Sequence, residues 1–322
     1  MAGVRTACCL VAALVAVPAE AAGQVGEGSA APDQAWLTVL LFSVLAAVCV
    51  SAFVRVPLFR IPLGTGPATR LRSDVLVLGW VGAIVAAQPG AWAAASVAGA
   101  WTDWDALPAL AQSTLLGLGA NVGSLAWLVA ILVLAGVRWV EPAVEPAHAA
   151  APFTPPARAP AVLSLALVFV SSLLAWPVWT ALGGIVTLIQ ERLGSRAPTL
   201  GHEVLDAMVH SSDHGWRVAS MLLALVSAPV VEELASRGFL QQGIKRLQFS
   251  RTVAVLCTSA VFALMHWSVL PAQAKASGLT VLFTVSVLWG WLYERTGRLW
   301  TCMLGHALFN LANLLQALSV GQ

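Results

Sequence analysis

"PVVEELASRGFL", residues 229–240, sets two adjacent glutamates and an arginine inside a run, 217–243, that otherwise has the composition of a membrane-buried helix. A charged side chain near the bilayer centre costs several kcal/mol even on lenient insertion scales, so such residues face the protein interior. The run therefore requires neighbours, and the rest of the chain supplies them. Of its 322 residues 59% are hydrophobic and only 10% charged, against roughly a quarter charged in soluble globular domains. Runs of about 18 or more apolar residues, each long enough to cross a hydrocarbon core of about 30 Å, fall at 36–54, 75–99, 110–137, 161–189, 217–243, 252–270, 277–294 and 299–318. The fold class that follows is an all-α polytopic transmembrane bundle of about eight membrane-spanning helices. Gln88, Pro89 and Gly90 interrupt the second run and a Gly-rich stretch crosses the third, which leaves a broken or re-entrant helix open there.

Domain organisation follows from composition. The first 22 residues carry one arginine, a short apolar stretch and Ala19 and Ala21 in an A-x-A arrangement, the pattern of a signal peptide. Residues 23–140 form an amino-terminal membrane module. The Pro- and Ala-dense stretch 141–160 cannot continue a helix and reads as a linker, and 161–322 form a second membrane module. Arginines and lysines concentrate after the first, third, fifth and seventh runs (Arg55, Arg60, Arg70 and Arg72; Arg138; Lys245, Arg246 and Arg251; Arg295 and Arg298). Those loops are expected to be cytoplasmic, with both mature ends outside. The mixed-charge segment 190–216 exerts little topological pull.

Several function classes drop out. A net charge of +2 with no basic block interleaved with aromatics gives nucleic acid no surface. Cys8 and Cys9 lie in the signal-like segment and Cys49, Cys257 and Cys302 in separate runs, so neither a disulfide framework nor a zinc cluster is indicated. No cofactor motif is present.

The polarity of the second half concentrates in three runs. At about 100° per helical residue, Arg237 lies about 40° around from Glu233 but about 140° from Glu232. Arg237 is therefore expected to neutralise Glu233 and leave Glu232 free. Pro229, three residues before Glu232, withholds an amide and frees carbonyls for a neighbour or for water. "FALMH" sets Phe262 and His266 one turn apart, and "HALFN" does the same for His306 and Asn310. A histidine and an asparagine on one face offer two converging donors, as a developing oxyanion requires; Phe262 is read as packing.

"EELASRGFL", "FALMH" and "HALFN", in that order on three helices, resemble the CPBP intramembrane endopeptidases, the group holding the type II CAAX prenyl proteases and the Abi-like proteins. The resemblance covers about residues 217–318. One departure is Ser236, where the family commonly carries an aromatic or large apolar residue. The resemblance implies a glutamate-dependent, metal-independent peptidase: Glu232 and His266 activate water, His306 and Asn310 stabilise the oxyanion, and Glu233, Arg237 and Phe262 support them. The partner it implies is a membrane-associated peptide or protein, and the exported start points to a bacterial inner membrane. Three alternatives stand beside it. A metal hydrolase would use the same Glu and His residues as ligands, without an HExxH motif. A proton-coupled transporter would more often show mirrored broken helices. A non-catalytic scaffold or immunity protein would bind a peptide in the same cavity.

Overall fold

The computed structural model describes residues 32–55, 71–138, 159–194 and 203–320, and among these it is helical throughout, without a β-sheet. The signal-like segment 1–22 and almost all of the linker 141–160 lie outside the described residues. The helices are α1 (Pro32–Arg55), α2 (Ser73–Trp101), α3 (Ala109–Arg138), α4 (Ala161–Arg192), α5 (Glu203–His210), a long α6 (His214–Arg246), α7 (Arg251–Met265), α8 (Lys275–Thr296) and α9 (Leu299–Val320).

Each of the eight predicted runs falls on a helix, and six helical segments are both long and apolar enough to cross a membrane. The exceptions are instructive. α7 is only 15 residues long: the run 252–270 read as a span ends early because the helix stops at Met265, and residues 266–270 turn toward Pro271. α9 has 22 residues, but its His306, Asn310, Asn313 and Gln316 dilute its apolar character. The interrupted pattern at Gln88–Gly90 breaks nothing, since α2 runs unbroken with Pro89 inside it. Gly90 there lies against the backbone of Gly119, and a Cβ on either residue would collide with the other's carbonyl; glycine lets α2 and α3 approach closely, as small residues do in membrane bundles. The segment 190–216 is not all loop, because α5 forms within it.

The molecule turns large apolar side chains outward, as a soluble protein does not. Trp36, Leu40, Leu41, Val44 and Val48 on α1, and Leu78, Val85 and Trp92 on α2, face outward, which apolar lipid tolerates and water does not. The interior instead holds Glu233, Arg237, Gln241, Thr258, Ser259 and Ser286. A core of Leu167, Val168, Trp179, Phe262, Val285, Trp289 and Leu292 ties α4, α7 and α8 together, and Val75, Leu76, Ala83, Leu128, Ile131 and Phe239 tie α2 and α3 to α6.

Helix α6 is the axis of the structure. Asp213 starts it by accepting the amides of Gly215 and Trp216, which satisfies two donors that a helix N-terminus leaves open. Two π-helical stretches, Leu223–Ser227 and Leu234–Gln241, flank the glutamates. Pairs along α6 keep a constant offset: Arg237 with Ser286, Gln241 with Gly290 and Lys245 with Glu294 are each 49 residues apart. Side chains in step in this way mean that α6 and α8 run parallel, as alternate spans of a serpentine path do.

Candidate active site

The site forms where α6, α7, α8 and α9 meet. Glu233 and Arg237 are both fully buried and joined twice, Nε to Oε2 at 3.1 Å and Nη1 to Oε1 at 3.1 Å. Burying two charges is tolerable only when the geometry is good and further hydrogen bonds satisfy what remains. Here Arg237 Nη2 also donates to the carbonyl and the hydroxyl of Ser286. Its guanidinium lies 5.0 Å from the Phe262 ring centroid and 5.6 Å from that of Trp289, within cation–π range. Arg237 lies in the second π-helical stretch, which begins just after Glu233, but four residues still make close to one turn there, so the two side chains stay adjacent.

His306 has a partner that the spacing of its own helix does not announce. Its Nδ1 is 3.0 Å from Glu233 Oε1, and its ring stacks on Trp289 at 4.2 Å and 14°. Glu233 thus holds Arg237 from its own helix and His306 from α9. The ring's Nε2 makes no hydrogen bond to a described residue.

Glu232, on the other face of α6, is differently placed. It makes no hydrogen bond to a described residue, and its Oε2 is buried. Its nearest charged neighbour is His266, with Nε2 4.0 Å from Oε2, too far for a hydrogen bond and a distance at which an intervening water has to be considered. His266 Nδ1 lies 2.9 Å from the carbonyl of Phe262. A carbonyl only accepts, so Nδ1 carries the proton, and in the neutral ring Nε2 presents its lone pair to Glu232. His266 is also the residue that ends α7, so the shortness of that helix is what frees its ring to lean back on Phe262. Phe262 lies among the charged and aromatic groups, 4.8 Å from His266, 5.7 Å from Trp289 and 5.9 Å from His306 between ring centroids.

Asn310 solves the problem that Pro229 creates. In the first π stretch the amide of Ala228 bonds to Leu223 five residues back, and the next residue, Pro229, has no amide to offer to Ala224. The Ala224 carbonyl would be an orphan in an apolar setting. Asn310 Nδ2 donates to it at 2.8 Å. This uses one N–H of the amide and leaves a second N–H and a carbonyl oxygen. Asn310→Leu is expected to destabilise the protein by about 1–3 kcal/mol by leaving that carbonyl unsatisfied, read as a lower thermal unfolding midpoint, a cost that loss of an oxyanion donor alone would not produce.

Sequence reasoning passed over Ser286 and Trp289, and also the cluster in which Gln241 and Lys245 both hold Glu294 at 2.8–3.0 Å. The signal for the last was present: Arg237, Gln241 and Lys245 recur every four residues on one helix and Ser286 and Glu294 lie eight apart on another, so the two series can face each other. Trp289 leaves no such trace, because its role depends on the ring of His306. Among the described residues, no group of three or more His, Cys, Asp and Glu side chains is arranged to hold a metal ion.

These features define a multi-pass membrane helix bundle with a charged site buried among its helices. Residues 214–312 match the family described as Type II CAAX prenyl endopeptidase Rce1-like, which bears out the resemblance carried by the three motifs and implies a CAAX-protease-type intramembrane peptidase. The match begins at the first residue of α6 and ends within α9, so α1–α5 lie outside it. No curated protein and no solved structure gave a significant match.

Proposed function

We propose that the chain is an intramembrane endopeptidase in which Glu232 and His266 activate a water molecule to hydrolyse a peptide bond in a membrane-associated substrate. The observation that carries this reading is the contrast between the two glutamates. Glu233 accepts from Arg237 and from His306 through Oε1 and pairs with Arg237 Nε through Oε2, whereas Glu232 makes no hydrogen bond to a described residue and its Oε2 lies 4.0 Å from Nε2 of His266. A water between them can give up a proton to the pair as its oxygen attacks the substrate carbonyl. The tetrahedral oxyanion would be met by the remaining N–H of Asn310 and by His306 acting as an imidazolium, its Nδ1–H held by the Glu233 carboxylate and its second proton, on Nε2, turned to the oxyanion. When the C–N bond breaks, the proton held by the Glu232–His266 pair passes to the leaving amine, which balances the hydrolysis. Glu233, Arg237 and Phe262 hold the set in place.

The same reading takes residues 1–22 as a signal peptide, 23–140 as an accessory membrane module, 141–160 as a linker and 161–322 as the peptidase module, in a bacterial inner membrane. The family's description names a CAAX prenyl endopeptidase, so prenylated CAAX peptides are one class to test against unmodified membrane peptides. The reaction needs no metal. Purified, detergent-solubilised protein is therefore expected to cleave a membrane-peptide library as fast in the presence of excess EDTA and 1,10-phenanthroline as without them; inhibition reversed by added zinc would replace this mechanism with a metal-dependent one.

A further inference from the structure

We propose that Asn121, on α3 and outside the family match, is a positioning residue that aims Glu232 by holding the π turn that precedes it; the inference rests on the peptidase reading above. α3 and α6 pack in step. Thr114 bonds to Ser220, Gly117 lies under the side chain of Leu223, and Asn121 Nδ2 donates to Ser227 Oγ at 3.0 Å. The three pairs share one offset of 106 residues at spacings of three and four, the seam of two parallel helices. Two of them fall on the π turn Leu223–Ser227, at its first residue and its last. A Cβ on Gly117 would meet a methyl of the Leu223 side chain at 2.8 Å, and Ser227 is held by the Asn121 amide.

A π turn closes its hydrogen bond one residue later than an α turn, so its presence rotates everything beyond it by about one residue's worth, about 100°. Glu232 lies five residues past Ser227. If the turn reverted to α, the carboxylate would leave His266 for another face of the helix. A π turn is rarely favoured on its own and persists where its surroundings hold it. Two asparagines on two other helices do so here: Asn310, from the third motif, takes the Ala224 carbonyl, and Asn121 takes Ser227. The accessory module thereby contributes to the geometry of the site without touching it.

The test uses the full chain in detergent with Asn121→Ala, Ser227→Ala, the double variant, and Thr114→Val as a control that breaks the same seam at Ser220, short of the π turn. Asn121→Ala is expected to lower kcat about tenfold per folded molecule with KM within twofold of wild type, and the double variant to be no worse than the worse single one. Thr114→Val is expected to keep kcat within twofold while lowering the unfolding midpoint. A second readout does not depend on activity: Glu232→Cys with His266→Cys should be bridged by a short bifunctional methanethiosulfonate reagent, detected by mass spectrometry, and adding Asn121→Ala should cut its yield severalfold. Unchanged kcat in Asn121→Ala, or effects that simply add in the double variant, would overturn the proposal. If the wild type cleaves nothing, the peptidase reading fails and the cross-link decides alone, a yield unaffected by Asn121→Ala refuting the positioning role.

Discussion

Glu232→Gln is expected to abolish peptide cleavage, lowering kcat by at least about 10²-fold, while the purified protein keeps the unfolding temperature of wild type. Both halves of the expectation come from the environment of the side chain. Glutamine has nearly the same shape but its amide does not take a proton from water, so the step that begins hydrolysis is lost. The fold should change little, because the contact of Glu232 with His266 is a long one, at 4.0 Å, and Glu232 makes no hydrogen bond to a described residue; a substitution that removes so little usually changes stability by no more than about 0.5 kcal/mol. The informative measurement pairs kcat on a membrane-peptide substrate with a thermal unfolding curve on the same preparation. Retained cleavage would transfer the role of base to His266 alone or end the mechanism. A matching proteomic comparison of membranes carrying wild type or Glu232→Gln would reveal the substrate as a peptide end present only with the former.

How much of this was legible in the chain depends on the range of the interaction. The apolar runs and the buried Glu233–Arg237 pair follow from composition and from the angle between side chains on one helix, which are local quantities; the pairing of Glu232 with the second-motif histidine, on another helix, was implied only by the resemblance of the motifs. The rotation at Leu223–Ser227 was not legible. Pro229 announced that a carbonyl would be stranded, but which one depends on whether the preceding turn is α or π, and that is decided by Asn121 and Asn310 on other helices. For the same reason His306 could be placed on the correct face of α9 without revealing that Glu233 would accept from it, since the partner comes from the relative height of two helices. The length of α7 was overestimated because Trp267, Val269 and Leu270 are apolar enough to extend a hydropathy run after the backbone has turned.

Arg237→Met is expected to be the most destabilising single substitution in the site, by about 3–5 kcal/mol, because it strands Glu233 as a buried charge. Glu233 is wholly inaccessible to solvent, and the arginine gives it two contacts at 3.1 Å. The same change removes the donors to Ser286 on α8 and the cation that lies over Phe262 and Trp289, so α6, α7 and α8 all lose a shared contact. Loss of folded, monodisperse protein on extraction, or a sharply lower unfolding midpoint, is the measurement. Glu233→Gln should be milder, since a glutamine oxygen can still accept from His306 and Arg237 keeps its bonds to Ser286. The discriminating variant is the double one. If the penalty in Arg237→Met is the unpaired carboxylate, adding Glu233→Gln removes that charge and should recover a substantial part of the lost stability, although each substitution alone destabilises. If the double variant is instead as unstable as the sum of the two, the arginine acts mainly through Ser286 and the aromatic rings. A Glu233→Gln protein as inactive and as stable as Glu232→Gln would contradict the division of labour between the two glutamates, because only a residue that takes part in the reaction without bracing the helices would behave that way.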